Sequence, residues 1–418
     1  IMYKLLTKIW IVIFSNFFLI VLIKRLLEFI SIDIYLFQIL YIVSGLFGTY
    51  CLFKIKNKKF IDVWVIIYII YITLNALASS YPHHWQYVYK AFIFQYTPIF
   101  CYFIGRLQII SIEYVLEKMK YPLIFSMIVG IYFYITNPSW YVLMKESQLN
   151  EYVSESFRQE IYRLSSFWGH PYYIGYATEI YFMYILYRLK YFNYTATNTL
   201  VKYIDFFIAI LCIVVLILAQ LRVTILCSII IYIYYNLNNK HFFTNTIKIL
   251  MGVSLFMGLS LLLLQYTSPD TNRYIIEHVG MLFDSKMYGD RFKSTGGGLD
   301  LDTFFGYGFG RYDATAREFG KFAIVDNEYQ NHLAELGYIG FILLLFIFVY
   351  TFSKVLIYGY QNKLGTAIFL FFVIAAVGAS VLSNETQYNY IFWFVVGNLC
   401  SLNTKKIDKP IFKFLNNA

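Results

Sequence analysis

Charge is what this chain has least of. Only 14% of its 418 residues are Asp, Glu, Lys or Arg, against roughly 25% in a soluble protein. The five cysteines (Cys51, Cys101, Cys212, Cys227 and Cys400) all fall inside apolar runs. That excludes a disulfide framework and a thiolate metal cluster. No repeat of solenoid period and no linker between independent domains is present. A nucleic-acid partner would need a soluble basic face, and the sequence has none despite a net charge of +10.

What fills the chain is hydrocarbon. Hydrophobic residues make up 59% and aromatics 21%, the composition of a polytopic membrane protein. The 42 Tyr and 41 Phe read first as codon bias of an AT-rich genome, then as interfacial belts, with a few free to stack on sugar rings. Ile1 stands ahead of Met2 like a cloning remnant and is set aside. The first apolar run, Ile9 to Ile23, has no small-residue cleavage site and is expected to be a retained span.

A bilayer core takes about 20 apolar residues as helix. Twelve such segments are expected, near 9–23, 34–53, 60–79, 90–105, 121–137, 171–188, 204–221, 223–237, 247–266, 334–356, 365–382 and 389–402. With the N-terminus in the cytoplasm, 20 of the 34 Lys and Arg lie inside and 14 outside, 7 of the latter in one loop. Basic residues resist translocation, so this asymmetry supports the orientation. The expected architecture is all-α: one transmembrane bundle over residues 2–402 with a cytoplasmic tail at 403–418. Two external loops, 138–170 and 267–333, are too long for plain connections and rich in charge. Interfacial helices are expected in the larger loop at TNRYIIEHVGMLF and, on the inner side, at LQIISIEYVLEKMK, residues 107–120.

Few ionisable groups lie within the spans: Asp62, Glu179, Asp205 and, at a boundary, Arg222. Asp62 and Asp205, near helix ends, are expected to snorkel or pair; Glu179, mid-span, needs a partner inside the bundle. Four stretches combine residues suited to chemistry. In RLSSFWGHPYYIGYA (163–177), Arg163 and His170 precede a helix start at Pro171, where free amides favour an anion and Arg163 adds a bidentate grip. In AQLRVTIL, Arg222 sits at the junction of two spans and either snorkels or faces inward. In GDRFKSTGGGLDLDTFFGYGFGRYD (289–313), Arg291 precedes the glycines Gly306 and Gly308, which let backbone amides approach a ligand. This is neither a Walker loop nor a dinucleotide fingerprint. In DNEYQNHLAELG (326–337), Asp326 and Asn327 are expected about 10–15 Å outside the next span, near the headgroups. Each has a plainer reading: a capped helix, a snorkelling arginine, an ordinary glycine-rich loop.

Together the four stretches resemble the superfamily of O-antigen ligases and Wzy-type repeat-unit polymerases. Arg163 with Pro171, Arg222, Arg291 with Gly306 and Gly308, and Asp326-Asn327 with Gly337 and Gly340 follow its order over about residues 160–345. The ligase branch has a histidine where this chain has Asp326, which favours a polymerase. The serine usual before the junction arginine is Leu221 here. His332, six residues beyond Asp326, falls on another helical face and is not taken as a shifted equivalent.

The resemblance implies a GT-C-like fold with about twelve transmembrane helices, in a bacterial plasma membrane with the active site facing the periplasm or exterior. It implies a growing glycan on undecaprenyl diphosphate as donor and a lipid-linked repeat unit as acceptor. The acceptor hydroxyl attacks the donor's anomeric carbon, the lipid diphosphate leaves, and the carbon inverts. Arg163, Arg222 and Arg291 would stabilise the diphosphate, Asp326 would orient or deprotonate the hydroxyl, and Asn327 and His170 would assist. No cofactor or metal is expected, Asp300-x-Asp302 being the sole Asp-x-Asp pair. Membrane lipid and a chain-length regulator are the remaining expected partners. The rival class is a lipid-linked oligosaccharide flippase, disfavoured because carriers place polar sites at mid-membrane on broken helices.

Overall fold

The computed structural model describes residues 2–16, 36–79, 84–136, 171–192, 199–219, 221–236, 303–312, 327–379 and 388–402, with isolated positions among 20–23, 157–166, 258 and 381–382. Among these, α1 is Met2–Ser15, α2 Leu36–Lys54, α3 Phe60–Ala78, α4 His84–Ala91, α5 Cys101–Arg106 and α6 Ile112–Thr136. A two-residue antiparallel pair follows, β1 (Phe157–Arg158) on β2 (Ile161–Tyr162). Then come α7 (Pro171–Tyr191), α8 (Thr199–Ala219), α9 (Arg222–Asn236), α10 (Glu328–Tyr358), α11 (Lys363–Gly378) and α12 (Tyr388–Ser401). The architecture is helical and compatible with a membrane protein. Four of the described helices are long and apolar enough to cross a bilayer: α3, α6, α8 and the stretch Glu328–Gln361 that contains α10. Segment 247–266 and the interfacial helix expected at 271–283 lie outside the described residues, apart from position 258.

Two expected segments differ in kind. The inner-side helix expected at 107–120 is not separate: α6 runs unbroken from Ile112 to Thr136, with Pro122 inside it. No glycine or cap interrupts the sequence there. The span expected at 90–105 is, conversely, broken. After α4 the chain makes a π turn over Phe92–Tyr96 and a short helical piece over Thr97–Ile99 before α5 resumes. Pro98 is the cause, because proline lacks an N–H and collides with the carbonyl four residues back. That carbonyl, on Phe94, accepts the Asn389 side-chain amide at 3.0 Å instead, and the neighbouring Ile93 carbonyl accepts the Tyr390 hydroxyl at 3.3 Å. The break is therefore capped from α12.

The chain forms two compact units. The first holds residues 1–14, 38–118 and 298–418; the second holds 15–37 and 119–297. In the first, α5 and α12 lie backbone to backbone. A Cβ on Gly105 would fall 1.9 Å from the Phe394 carbonyl oxygen, and one on Gly397 would fall 1.9 Å from that of Tyr102. Small residues allow such approach where helices gain nothing from hydrophobic exclusion in lipid. Gly397→Val is expected to destabilise the protein by about 3 kcal/mol or more, as overpacked cores do, read as a lowered melting temperature in detergent. Asp62 pairs as expected: buried in the first turn of α3, it accepts the Tyr102 hydroxyl at 2.6 Å and Arg106 Nε at 3.0 Å.

In the second unit, Asp205 on α8 pairs with Arg188 on α7 at 2.9 Å. Glu179, wholly buried in α7, takes the Ser228 hydroxyl of α9 at 2.5 Å, which supplies the bundle partner it needs. Leu164 N donates to the Leu218 carbonyl at 3.0 Å, and the Ser166 hydroxyl donates to the Ser126 carbonyl at 2.9 Å.

Candidate functional site

The decisive feature of the first unit is that α10 folds back on itself at Gly337. This residue has φ +65° and ψ −170°, inside a run that is otherwise helical. The Tyr329 ring lies 6.4 Å from that of Phe348 and 6.3 Å from that of Phe341. In one straight helix, nineteen residues of rise would separate Tyr329 and Phe348 by about 28 Å. Contacts along α3 confirm the reversal. His332 and Leu336 meet Tyr68 and Tyr71 in ascending order, whereas Gly340 and Phe346 meet Tyr71 and then Trp64 and Phe60 in descending order. Residues 328–336 are thus a short arm laid back into the unit, and residues 338–358 form the long arm.

Ending one helix and starting another at the same point leaves carbonyls and amides without helical partners. Buried among apolar side chains, such groups cost several kcal/mol unless paired. The loop 303–308 pairs both sets. Tyr307 N and Gly308 N donate to the carbonyls of Ala334 and Glu335 at 2.8 and 3.1 Å. The carbonyls of Thr303 and Phe304 accept from Tyr338 N and Ile339 N at 3.0 and 3.3 Å. Contact is so close that a Cβ on Gly337 would lie 2.4 Å from Gly306 N and from the Phe304 carbonyl. Asn75 of α3 fixes the loop from the other side, donating to the Phe305 carbonyl at 2.7 Å and accepting from Phe309 N at 2.8 Å.

The short arm carries a polar face into an apolar bundle. Glu328, Asn331, His332 and Glu335 are all buried. His332 Nε2 lies 3.0 Å from the Tyr68 hydroxyl, and its Nδ1 lies 3.0 Å from Glu328 Oε1. With the phenol donating to Nε2, the Nδ1 proton is held by the Glu328 backbone carbonyl at 3.3 Å, with the side-chain carboxyl close beside it. Glu328 Oε2 accepts Leu382 N at 2.9 Å, and Glu335 Oε1 accepts Tyr312 N at 2.8 Å. Each acid therefore holds a stretch of non-helical backbone against the arm. Arg311 lies over the rings of Tyr307 and Tyr312, at 5.6 and 5.4 Å. Burial raises the Tyr312 phenol above its ordinary pKa, with the Arg311 cation opposing. A small cavity, roomy enough for roughly one water, is lined by Tyr68, His332, Gln95, Trp393 and Phe309 among others.

Of the residues singled out by sequence, Asn327 is the N-cap of the short arm, its side chain accepting Gln330 N at 3.0 Å. The straight helix that would put it about 10–15 Å outside the span is broken at Gly337. The arm turns inward, bringing its next turns level with Tyr68, the ninth of the nineteen residues of α3. Gly306 and Gly308 have φ of +75° and +116°, and the amides of Tyr307 and Gly308 are spent on the break. Arg222 opens α9 just after the junction with α8, as expected, its side chain lying outside the described residues. Arg163, His170, Arg291 and Asp326 also lie outside them, although α7 does begin at Pro171.

Sequence reasoning passed over Glu328, Glu335, Tyr68 and Asn75, and it set His332 aside. The signal was there: Glu328, His332 and Glu335 recur at i, i+4 and i+7, one face of a helix, and Tyr68 and Asn75 stand seven apart in an apolar run. No family model matches the chain, and no curated protein matches it.

Proposed function

We propose that the chain is a membrane glycosyltransferase that polymerises undecaprenyl-diphosphate-linked oligosaccharide repeats into a surface polysaccharide, an O-antigen or capsule. The observation that carries this reading is the buried cluster of Glu328, His332 and Tyr68, built where a folded-back arm within the stretch that bears the superfamily resemblance meets α3. Ionisable groups inside an apolar bundle are costly and mark function by default. The transfer needs a group to orient the acceptor hydroxyl and a place for its proton. Asp326 directly precedes the cap of the arm and takes the first role. The cluster, at the arm's first turns, supplies the second.

Arg163, Arg222 and Arg291 remain the proposed stabilisers of the departing lipid diphosphate, whose charge grows as the sugar transfers. A twelve-span, GT-C-like bundle with cytoplasmic termini and an external site completes the proposal. The purified protein, given one defined lipid-linked repeat, is expected to produce a ladder of longer lipid-linked glycans without added divalent metal. A single product on a preformed lipid A core acceptor, with no ladder, would make it a ligase. Asp326→Asn should leave the protein folded and lower chain extension by about 10²-fold or more, the usual worth of a positioned acid or base. Unchanged extension would remove Asp326 from the mechanism.

The folded-back arm also favours a second reading. Flippases and other carriers use interrupted helices with polar groups at mid-bundle, and α10 is now seen to be interrupted. Transbilayer movement of a fluorescent lipid-linked oligosaccharide in vesicles, with no change in glycan length, would select that reading.

A further inference from the structure

At the end of the first unit where α3 begins, Lys59 has two cations, Arg106 and Lys354, and the acid Asp62 within electrostatic reach. Asp62 is fully engaged, by Lys59 N at 2.6 Å, the Tyr102 hydroxyl at 2.6 Å and Arg106 Nε at 3.0 Å. Its direct ion pair is with Arg106. Lys59 Nζ lies at the C-terminus of α12, donating to the carbonyls of Cys400 and Ser401 at 3.1 and 3.3 Å. Lys354 Nζ lies over the rings of Tyr350 and Tyr358, at 5.5 and 5.3 Å. Burial, followed by repulsion from Arg106 and Lys354, holds the Lys59 ammonium below its ordinary pKa. Only Nε of the Arg106 guanidinium is engaged, so among the described residues its two outer nitrogens have no partner.

Crowded cations of this kind are stabilised by an anion, and a planar guanidinium fork matches the paired oxygens of a phosphate. The surroundings say where that phosphate comes from. Phe53, Phe60, Leu356 and Ile357 are exposed beside the cluster in sequence, at 81, 62, 71 and 57%. Exposed apolar side chains next to basic residues and tyrosines are the make-up of a headgroup-level rim. A free phosphate would leave those side chains uncovered, whereas a phospholipid brings acyl chains to cover them.

We propose that Arg106, Lys59 and Lys354 bind the phosphate headgroup of an anionic phospholipid at this end of the unit. This site is independent of the glycosyl-transfer reading and stands or falls separately. The test is native mass spectrometry of the full chain released from mixed micelles containing phosphatidylglycerol or phosphatidylcholine. Retained phosphatidylglycerol should exceed phosphatidylcholine by about fivefold or more, since each basic residue near an anionic headgroup contributes about that factor.

Lys354→Gln, which breaks no ion pair, should remove about fivefold of this preference. Arg106→Lys, which keeps the charge and loses the fork, should also weaken it. Lys56→Gln, in the exposed run just before α3, should leave it unchanged. Equal retention of the two lipids would overturn the proposal. So would an equal loss with Lys56→Gln, which signals general attraction, or full reproduction of the lipid's thermal stabilisation by inorganic phosphate alone.

Discussion

Gly337→Val should cost the protein about 3–5 kcal/mol, combining a β-branched residue forced to positive φ with overpacking. At φ +65° a valine is strained before any neighbour is considered. Its Cβ would then meet the Phe304 carbonyl and Gly306 N, both at 2.4 Å. These are backbone atoms, so no side chain can rotate away. Relief requires parting loop 303–308 from the break, which strands the carbonyls of Ala334 and Glu335 and the amides of Tyr338 and Ile339. The measurement is thermal unfolding in detergent, with chain extension assayed on whatever protein remains folded. Gly306→Val should behave alike, since its Cβ would lie 2.3 Å from the Glu335 carbonyl. Wild-type stability in either variant would mean the break is not clamped as described.

The second large effect is expected at His332. His332→Gln keeps a polar side chain of similar reach but cannot pass a proton between two partners. If the arm serves the transfer, kcat should fall by about 10²–10⁴, the range for a lost acid–base group, with KM little changed. Tyr68→Phe should lower kcat in the same direction while leaving His332 and Glu328 paired. A purely structural role predicts something else: a lowered melting temperature with kcat per folded molecule intact. The comparison of kcat with melting temperature therefore separates the two, and it needs only a wild type that extends chains.

Helix positions among the described residues were largely legible, because long apolar runs mark them. The start of α7 at Pro171 and the junction before Arg222 were legible from proline and from a polar interruption. The reversal at Gly337 was not. HLAELGYIGF reads as an ordinary helix start, and glycine within an apolar period is unremarkable in membranes. What reverses the chain there is a cap supplied by residues 303–308, some thirty positions upstream, and periodicity carries no trace of a partner so distant. For the same reason Asn327 was expected outside the span. Its distance was counted along a straight helix, and the helix turns back. The broken span at 90–105 is the converse case. Pro98 announced a disruption, but only Asn389 on α12 shows how the freed Phe94 carbonyl is satisfied. The cluster was hidden because Glu328 and His332 lie on the short arm and Tyr68 is more than 250 positions away.

The short arm also constrains how the protein is made. Nine residues rise only about 13 Å, less than half the hydrocarbon thickness of a bilayer, so the arm is too short to cross one by itself. Two of its fasteners are synthesised after it: the Val373 carbonyl accepts the Tyr329 hydroxyl at 3.0 Å, and the Leu382 amide donates to Glu328 Oε2 at 2.9 Å. Its seating is complete only once α11 and the segment beyond it have left the ribosome, which makes its docking a late step of folding.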